Sequence, residues 1–232
     1  MTSRLSISIL LLVAFAASAQ EQDSVKQDSV KQKHDFRPTG IRFGTDVIAI
    51  IKSTTDDTFN GWELNGDIDF YRFYFAADYG YWARNYTAYD AGYSNDGTYW
   101  RVGADVNFLT KDPDRNMFYF GLRYGQSVFS EEMVIQKLDP VWGDISTTLN
   151  NSNVHAHWFE VTTGLKVKML KIIWMGYTVR LKFALATDDT DNMMPSDVPG
   201  YGRADTQSYW GFNYQIFIRI PVRKKDSIPL KK

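Results

Sequence analysis

The sequence predicts an all-β fold, an eight-stranded antiparallel up-and-down transmembrane β-barrel, on three observations. Eight stretches alternate apolar and polar residues with the period of two that a strand imposes, their connections alternate short and long, and glycines collect on the polar face. The longest run is Tyr209 to Val222. There Trp210, Phe212, Tyr214, Ile216, Ile218, Ile220 and Val222 share one face, and Gly211, Asn213, Gln215 and Arg219 share the other. An aromatic content of 16% beside a mean hydropathy of -0.34 is what alternation produces, because the polar face offsets the apolar one in any averaging window.

The 232 residues suit one domain of moderate size, and a formal net charge of -1 offers no basic surface to nucleic acid. The absence of cysteine removes disulfides, thiolate metal sites, cysteine nucleophiles and a lipid-attachment cysteine. At the amino end, Arg4, the apolar Leu5 to Phe15 and the small residues Ala17-Ser18-Ala19 have the layout of a signal peptide over residues 1–19, cleaved after Ala19. About a dozen apolar residues fall short of the ~20 that a membrane helix needs. Residues 20–38 read as a flexible polar linker, in which Gln22-Asp23-Ser24-Val25-Lys26 recurs as Gln27-Asp28-Ser29-Val30-Lys31. The barrel is expected over residues 39–222, with a short basic tail over 223–232.

Parity sorts the faces strand by strand. In the first, Ile41 to Ile51, residues Ile41, Phe43, Val47, Ala49 and Ile51 oppose Arg42, Gly44 and Asp46. The second sets Trp62, Leu64, Ile68 and Phe70 against Glu63, Asn65, Asp67 and Asp69, and the third sets Phe73, Phe75, Ala77, Tyr79 and Tyr81 against Arg72, Asp78, Gly80 and Arg84. In the fourth, Trp100 to Phe108 carries Arg101, Gly103, Asp105 and Asn107 on its polar side; the fifth opposes Phe118, Phe120, Leu122 and Tyr124 to Gly121, Arg123 and Gly125. The sixth pairs Phe159, Val161, Leu165, Val167 and Met169 with Glu160, Thr162, Gly164, Lys166 and Lys168, and the seventh runs from Ile173 to Leu185 with Gly176, Thr178, Arg180 and Lys182 opposite. The run that ends at Val222 is the eighth.

A soluble, lipocalin-like barrel carries the same alternation inverted, so the choice of inner face decides the class. An eight-stranded barrel holds little more than its own side chains, and the apolar set is too bulky to fit. Glycines at 44, 80, 103, 121, 125, 164, 176 and 211 lie on the polar face, where a crowded interior needs small neighbours. The polar face is therefore expected inside. Short turns fall around Tyr71, around Lys111-Asp112-Pro113-Asp114 and around Leu170-Lys171, with longer loops on the other rim, including Phe129 to Asn153 and Thr187 to Gln207. Trp62, Trp100 and Trp210 then stand just inside the long-loop ends as a lipid-interface girdle.

Leader, eight alternating strands and short-turn, long-loop rhythm resemble the small outer-membrane barrels of Gram-negative bacteria, the OmpX-like and OmpA-like proteins. The repeat ahead of the barrel is similar to uncharacterised outer-membrane barrel families of the Bacteroidetes. The resemblance implies outer-membrane location, monomeric state, contact with outer-membrane lipids and lipopolysaccharide, and delivery by the barrel-assembly machinery. Many such barrels end on an aromatic residue, whereas this chain continues from Arg223 to Lys232 without one.

Inward charges are the main chemical feature: Arg42, Arg72, Arg84, Arg101, Arg123, Lys166, Lys168, Arg180, Lys182 and Arg219 against Asp46, Glu63, Asp67, Asp69, Asp78, Asp105 and Glu160. Near-balance predicts a mutually paired, closed interior, since an unpartnered buried charge costs several kcal/mol. His155 and His157 share a strand face with Ser152 and Glu160 close in sequence, which permits a base or metal pair on spacing alone, although two imidazoles are fewer ligands than zinc takes. Asp188-Asp189-Thr190-Asp191-Asn192 lacks the spacing and glycine of a calcium loop. Tyr86, Tyr89, Tyr93 and Tyr201 are loop aromatics suited to sugars, peptides or a protein. The expected role is structural or binding through extracellular loops, with no catalytic residue, metal or cofactor; the alternatives are a lipid-modifying enzyme using His155 or His157, a soluble lipocalin-like binder and a conducting pore.

Overall fold

The computed structural model describes residues 36–88, 90–139, 143–188, 190 and 193–223. The leader, the linker up to residue 35, His34, Tyr89, Asp189, Asp191, Asn192 and the tail beyond Arg223 lie outside the described residues. In chain order the elements are β1 (Gly40–Asp46), α1 (Val47–Thr55), β2 (Phe59–Phe70), β3 (Phe73–Thr87), β4 (Ala91–Asn107), β5 (Met117–Asp139), β6 (Gly143–Lys168), β7 (Ile173–Thr187), β8 (Asp197–Val198), β9 (Gly202–Arg203) and β10 (Ser208–Pro221). Eight of them form one antiparallel sheet in which each strand pairs with its sequence neighbours, and β1 meets both β2 and β10, so the sheet closes into a barrel.

Alternation along each strand becomes an inside and an outside. On β5, Leu122 is 68% exposed and the adjacent Arg123 is 3% exposed, and the same inversion of charge and grease holds around the ring. Connections of two, nine and four residues join β2 to β3, β4 to β5 and β6 to β7 at one end, hereafter the turn end. Tyr71, in the first of them, takes a φ of 64°, which the two-residue reversal requires of a non-glycine residue.

The loop end departs from the sequence expectation in three places. The first strand does not reach Ile51: β1 stops at Asp46, and Val47–Thr55 is a helix. Asp46 is the reason, because its carboxylate accepts the Ile48 N–H and caps the helix, while Val47 to Ile51 is an unbroken apolar run rather than an alternating one. The segment from Phe129 to Asn153, expected as a long loop, instead extends β5 and β6 into a hairpin that pairs from Glu131↔Asn151 to Asp139↔Gly143 after a bulge. Polar residues on both faces mask strands that stand clear of the ring. Likewise β3 and β4 pair as far as Thr87↔Gly92, where a longer loop was expected. Thr187 to Gln207 is the long connection that remains.

Where β1 ends, the wall loses a stave. Residues 59–63 of β2 and 208–214 of β10 have a strand neighbour on one side only, and α1 lies against both strands. Side chains take over the missing ladder: Ser53 Oγ donates to Gly61 O and accepts from Gly61 N at 2.7 Å each, and Asp46 accepts the Tyr214 N–H at 3.1 Å.

Candidate functional site

The barrel interior is a charged belt between two apolar layers, closed at the loop end by an inserted segment. Asp78 is its centre, meeting Arg101 Nε at 3.2 Å, Arg123 Nη1 at 2.5 Å and Arg180 Nη2 at 3.1 Å. Arg101 reaches on to Glu63 at 2.5 Å and Glu160 at 3.7 Å, while Arg180 meets Glu160 at 2.9 Å and Arg123 meets Asp105 at 2.9 Å. Each guanidinium thus spans two or more carboxylates, which its rigid fork of donors allows. Nearer the turn end, Asp67 takes Arg42 at 2.7 Å and Lys166 at 2.8 Å. Glu63 also accepts from Tyr99 Oη and Asn65 Nδ2, and Asn213 bridges Arg180 to Asp46.

Four of the residues expected inside lie at the rims. Arg72 is exposed, because it occupies the two-residue reversal where strand alternation has stopped. Lys168 is exposed at the turn end and pairs with Asp114 at 2.8 Å. Arg219, half-buried there, meets Asp69 at 3.1 Å; Asp69 also accepts the Gly40 N–H. Arg84 stands at the loop end, 3.1 Å from Asp197. Trp62, Trp100 and Trp210 lie on the outer face, Trp62 against Tyr79 and Trp100 against Tyr124.

The interior also holds rings. Tyr74, Met117 and Tyr119 cluster toward the turn end, and Tyr99, Phe129, Val154, Ala156 and Trp158 toward the loop end. Parity places all of them on the polar face, so the alternation in the sequence carries their inward position. The glycines make room chiefly for these rings: a Cβ at Gly125 would enter Trp158, at Gly80 Tyr99, and at Gly44 Phe217. Gly121 and Gly103 instead clear space for Asp105 and Arg123, as the sequence suggests.

Residues 193–205 fold down into the mouth. Val198-Pro199-Gly200-Tyr201 is a turn closed by Tyr201 N–H to Val198 O, with proline second and Gly200 at a φ of 80° third, the chemistry of a type II turn. It delivers Val198 and Tyr201 into the layer of Tyr99, Phe129 and Trp158. Lys182 rises from the belt to donate to Gly200 O and Tyr201 O at 2.7 and 2.9 Å. Asn95 donates to Asp197 O, Asn151 to Met193 O, and Tyr93 to Glu131 at 2.8 Å. Burial first and Glu131 second hold the Tyr93 phenol well above its ordinary value, so it remains a donor. Burial likewise raises the Asp197 carboxyl, against the pull of Arg84.

Beside this plug opens a cleft of about 470 Å³. Lys52 and Asp56 at the end of α1, Thr58 after it, Arg84 and Tyr86 of β3, and Ser196, Asp197 and Arg203 of the inserted segment line it. Lys52 Nζ sits 4.2 Å from the centre of the Phe59 ring, and Tyr86 stacks on Tyr93 at 4.9 Å. The histidines form no comparable site. His155 and His157 are half-buried on the outer side of β6, His157 bonded to Tyr124 Oη at 2.7 Å, whereas Glu160 points inward. Among the described residues no group of three or more His, Asp or Glu is placed to hold a metal.

The chain belongs to the family described as Domain of unknown function (DUF6048), whose family model matches residues 2–225. No curated protein matches it.

Removing the carboxylate at the centre of the belt should be severe. Asp78→Ala is expected to cost about 3–5 kcal/mol by leaving guanidiniums buried beside an emptied position; a denaturant midpoint equal to wild type would refute the belt's role. The plug should respond to pH through Asp197. A carboxyl raised in the folded state binds its proton more tightly there than in the open state, so closure weakens as pH rises through the raised value, above the ordinary 3.8. Amide exchange over residues 193–205, corrected for intrinsic rates, should show protection falling in that window in wild type and remaining flat in Asp197→Asn.

Proposed function

We infer that this member of the family is an integral outer-membrane protein of Gram-negative type, a non-conducting barrel that anchors a folded loop surface for binding at the cell exterior. The observation that carries the reading is the inversion of faces: charged residues are buried, and large apolar side chains such as Leu64, Phe75, Phe120, Leu165 and Ile218 are exposed in continuous rows. In water such a surface is far larger than the apolar patches that soluble monomers tolerate. A bilayer turns the same surface into a favourable one, and a closed sheet leaves few backbone groups unmatched in hydrocarbon. No described helix is long and apolar enough to cross a membrane, which says nothing of strands.

Further support comes from the tight turns at one end and the long hairpins at the other, from the tryptophans on the outer face, and from the leader-like amino terminus. In this reading the turn end is periplasmic, the leader is removed after Ala19, and assembly machinery delivers a monomer into contact with outer-membrane lipids and lipopolysaccharide. By pattern the chain resembles the OmpX-like and OmpA-like barrels. The paired belt and the inserted segment argue against a pore. A lipocalin-like binder needs its apolar face inside, and the separation of Glu160 from His155 and His157 gives a lipid-modifying activity no assembled site.

The test is gel mobility of the protein from an outer-membrane fraction, unboiled against boiled, with single-channel recording on the same preparation. A fast unboiled band that shifts on heating, and no steady conductance in planar bilayers, is the expected pair. A soluble protein without the shift overturns the location, and a stable conductance overturns the closed interior.

A further inference from the structure

The place where α1 replaces the upper part of β1 is built asymmetrically. Toward β2 the helix is fastened by Ser53, which satisfies both backbone groups of Gly61, and Phe59 N–H closes the turn just after the helix on Asp56 O at 3.0 Å. Toward β10, Asp46 engages Asn213 and the Tyr214 N–H. Farther along that edge the N–H groups of Phe212 and Trp210 point the same way as that of Tyr214 by strand parity, and among the described residues no backbone hydrogen bond joins them to α1. The helix is thus hinged on one strand and loosely set against the other.

The helix also divides two chemistries. Ile48, Ile50 and Ile51 are exposed on its outer side, continuing the apolar surface of Trp210 and Phe212. Lys52, one helical turn on from Ile48, lines the cleft, where Asp56, Arg84, Arg203 and the hydroxyls of Thr58, Ser196 and Tyr86 also converge. Among the described residues Lys52 has no carboxylate within ion-pair distance, only the face of Phe59. A polar cleft with an uncommitted ammonium, next to a seam with an apolar outer lip, matches an amphiphile with an anionic head.

Resting on the membrane reading above, we propose that this cleft binds the anionic headgroup of an outer-leaflet lipid, which reaches it sideways along the seam between α1 and β10 while its chains stay against Ile48, Ile50 and Ile51. Lys52 supplies a charge-assisted hydrogen bond to the phosphate, Arg84 a second cation held in place by Asp197, and the three hydroxyls meet the remaining polar groups of the head. No movement of the charged belt is required, because the cleft lies on the loop side of it.

The test uses the full chain in detergent with mixed micelles of phosphatidylglycerol and phosphatidylcholine, lipid retention being read by native mass spectrometry, with free glycerol phosphate as competitor. Selective retention of phosphatidylglycerol is expected. Lys52→Gln should weaken it about tenfold, Ile51→Asp should weaken it as well, and glycerol phosphate should not displace it. Equal retention of the two lipids, or indifference to Lys52→Gln, overturns the proposal. Binding of glycerol phosphate as tight as that of the lipid, with no effect of Ile51→Asp, also overturns it and leaves a site for free phosphate. The heat shift measured on each sample separates the two readings: without it the membrane reading fails and takes this one with it, while a normal shift without lipid selectivity defeats this one alone. It also shows that each variant is folded.

Discussion

Asp78 accepts from guanidiniums carried by β4, β5 and β7, so one carboxylate on β3 joins strands on opposite sides of the ring. A charge so deeply buried is tolerable only when partners surround it, and each partner in turn needs its own. That requirement propagates from Asp78 through Arg101 to Glu63 and Glu160, and through Arg123 to Asp105. The resulting belt fixes register, because a slip of one residue in any of these strands would turn a charge outward and a large apolar group inward.

Filling follows from the belt. Long guanidiniums leave gaps above and below, which aromatic rings occupy, and glycines on neighbouring strands admit the rings. At the loop end the ring alone does not finish the layer of Tyr99, Phe129 and Trp158, so Val198 and Tyr201 complete it from the connection between β7 and β10. The same segment is held by Lys182, a belt residue, through two carbonyls. Closure of the mouth and neutralisation of the belt are therefore linked: of the two buried belt lysines, Lys166 pairs with Asp67, and Lys182, with no carboxylate within ion-pair distance among the described residues, anchors the plug.

Strand count, faces and the tight turns were legible because a period of two over a dozen residues is a strong signal and because parity carries it through each strand. The buried charged set was legible for the same reason, except where parity lapses, as at Arg72, or where the strand emerges from the ring, as at Arg84 and Lys168. Three features were not read. The helix hides in an apolar run whose only local mark is Asp46 as a cap. The β5–β6 hairpin beyond Phe129 mixes polar and apolar residues on both faces, so no period of two marks it. The inserted segment depends on partners from β4, β5 and β6, including Asn95, Glu131 and Asn151, that no local pattern connects to it.

The central claim is that one face of each strand meets lipid and the other a closed, paired interior. The chain has no cysteine, so single cysteines placed in turn from Gly211 to Ile220, spin-labelled in bilayers, report each position against a lipid-soluble and a water-soluble relaxant. Alternation is predicted, with Phe212, Tyr214, Ile216 and Ile218 reached by the lipid-soluble relaxant and Asn213, Gln215 and Phe217 reached by neither. Access of the water-soluble relaxant to Asn213 and Gln215, or equal lipid access at adjacent positions, would contradict it.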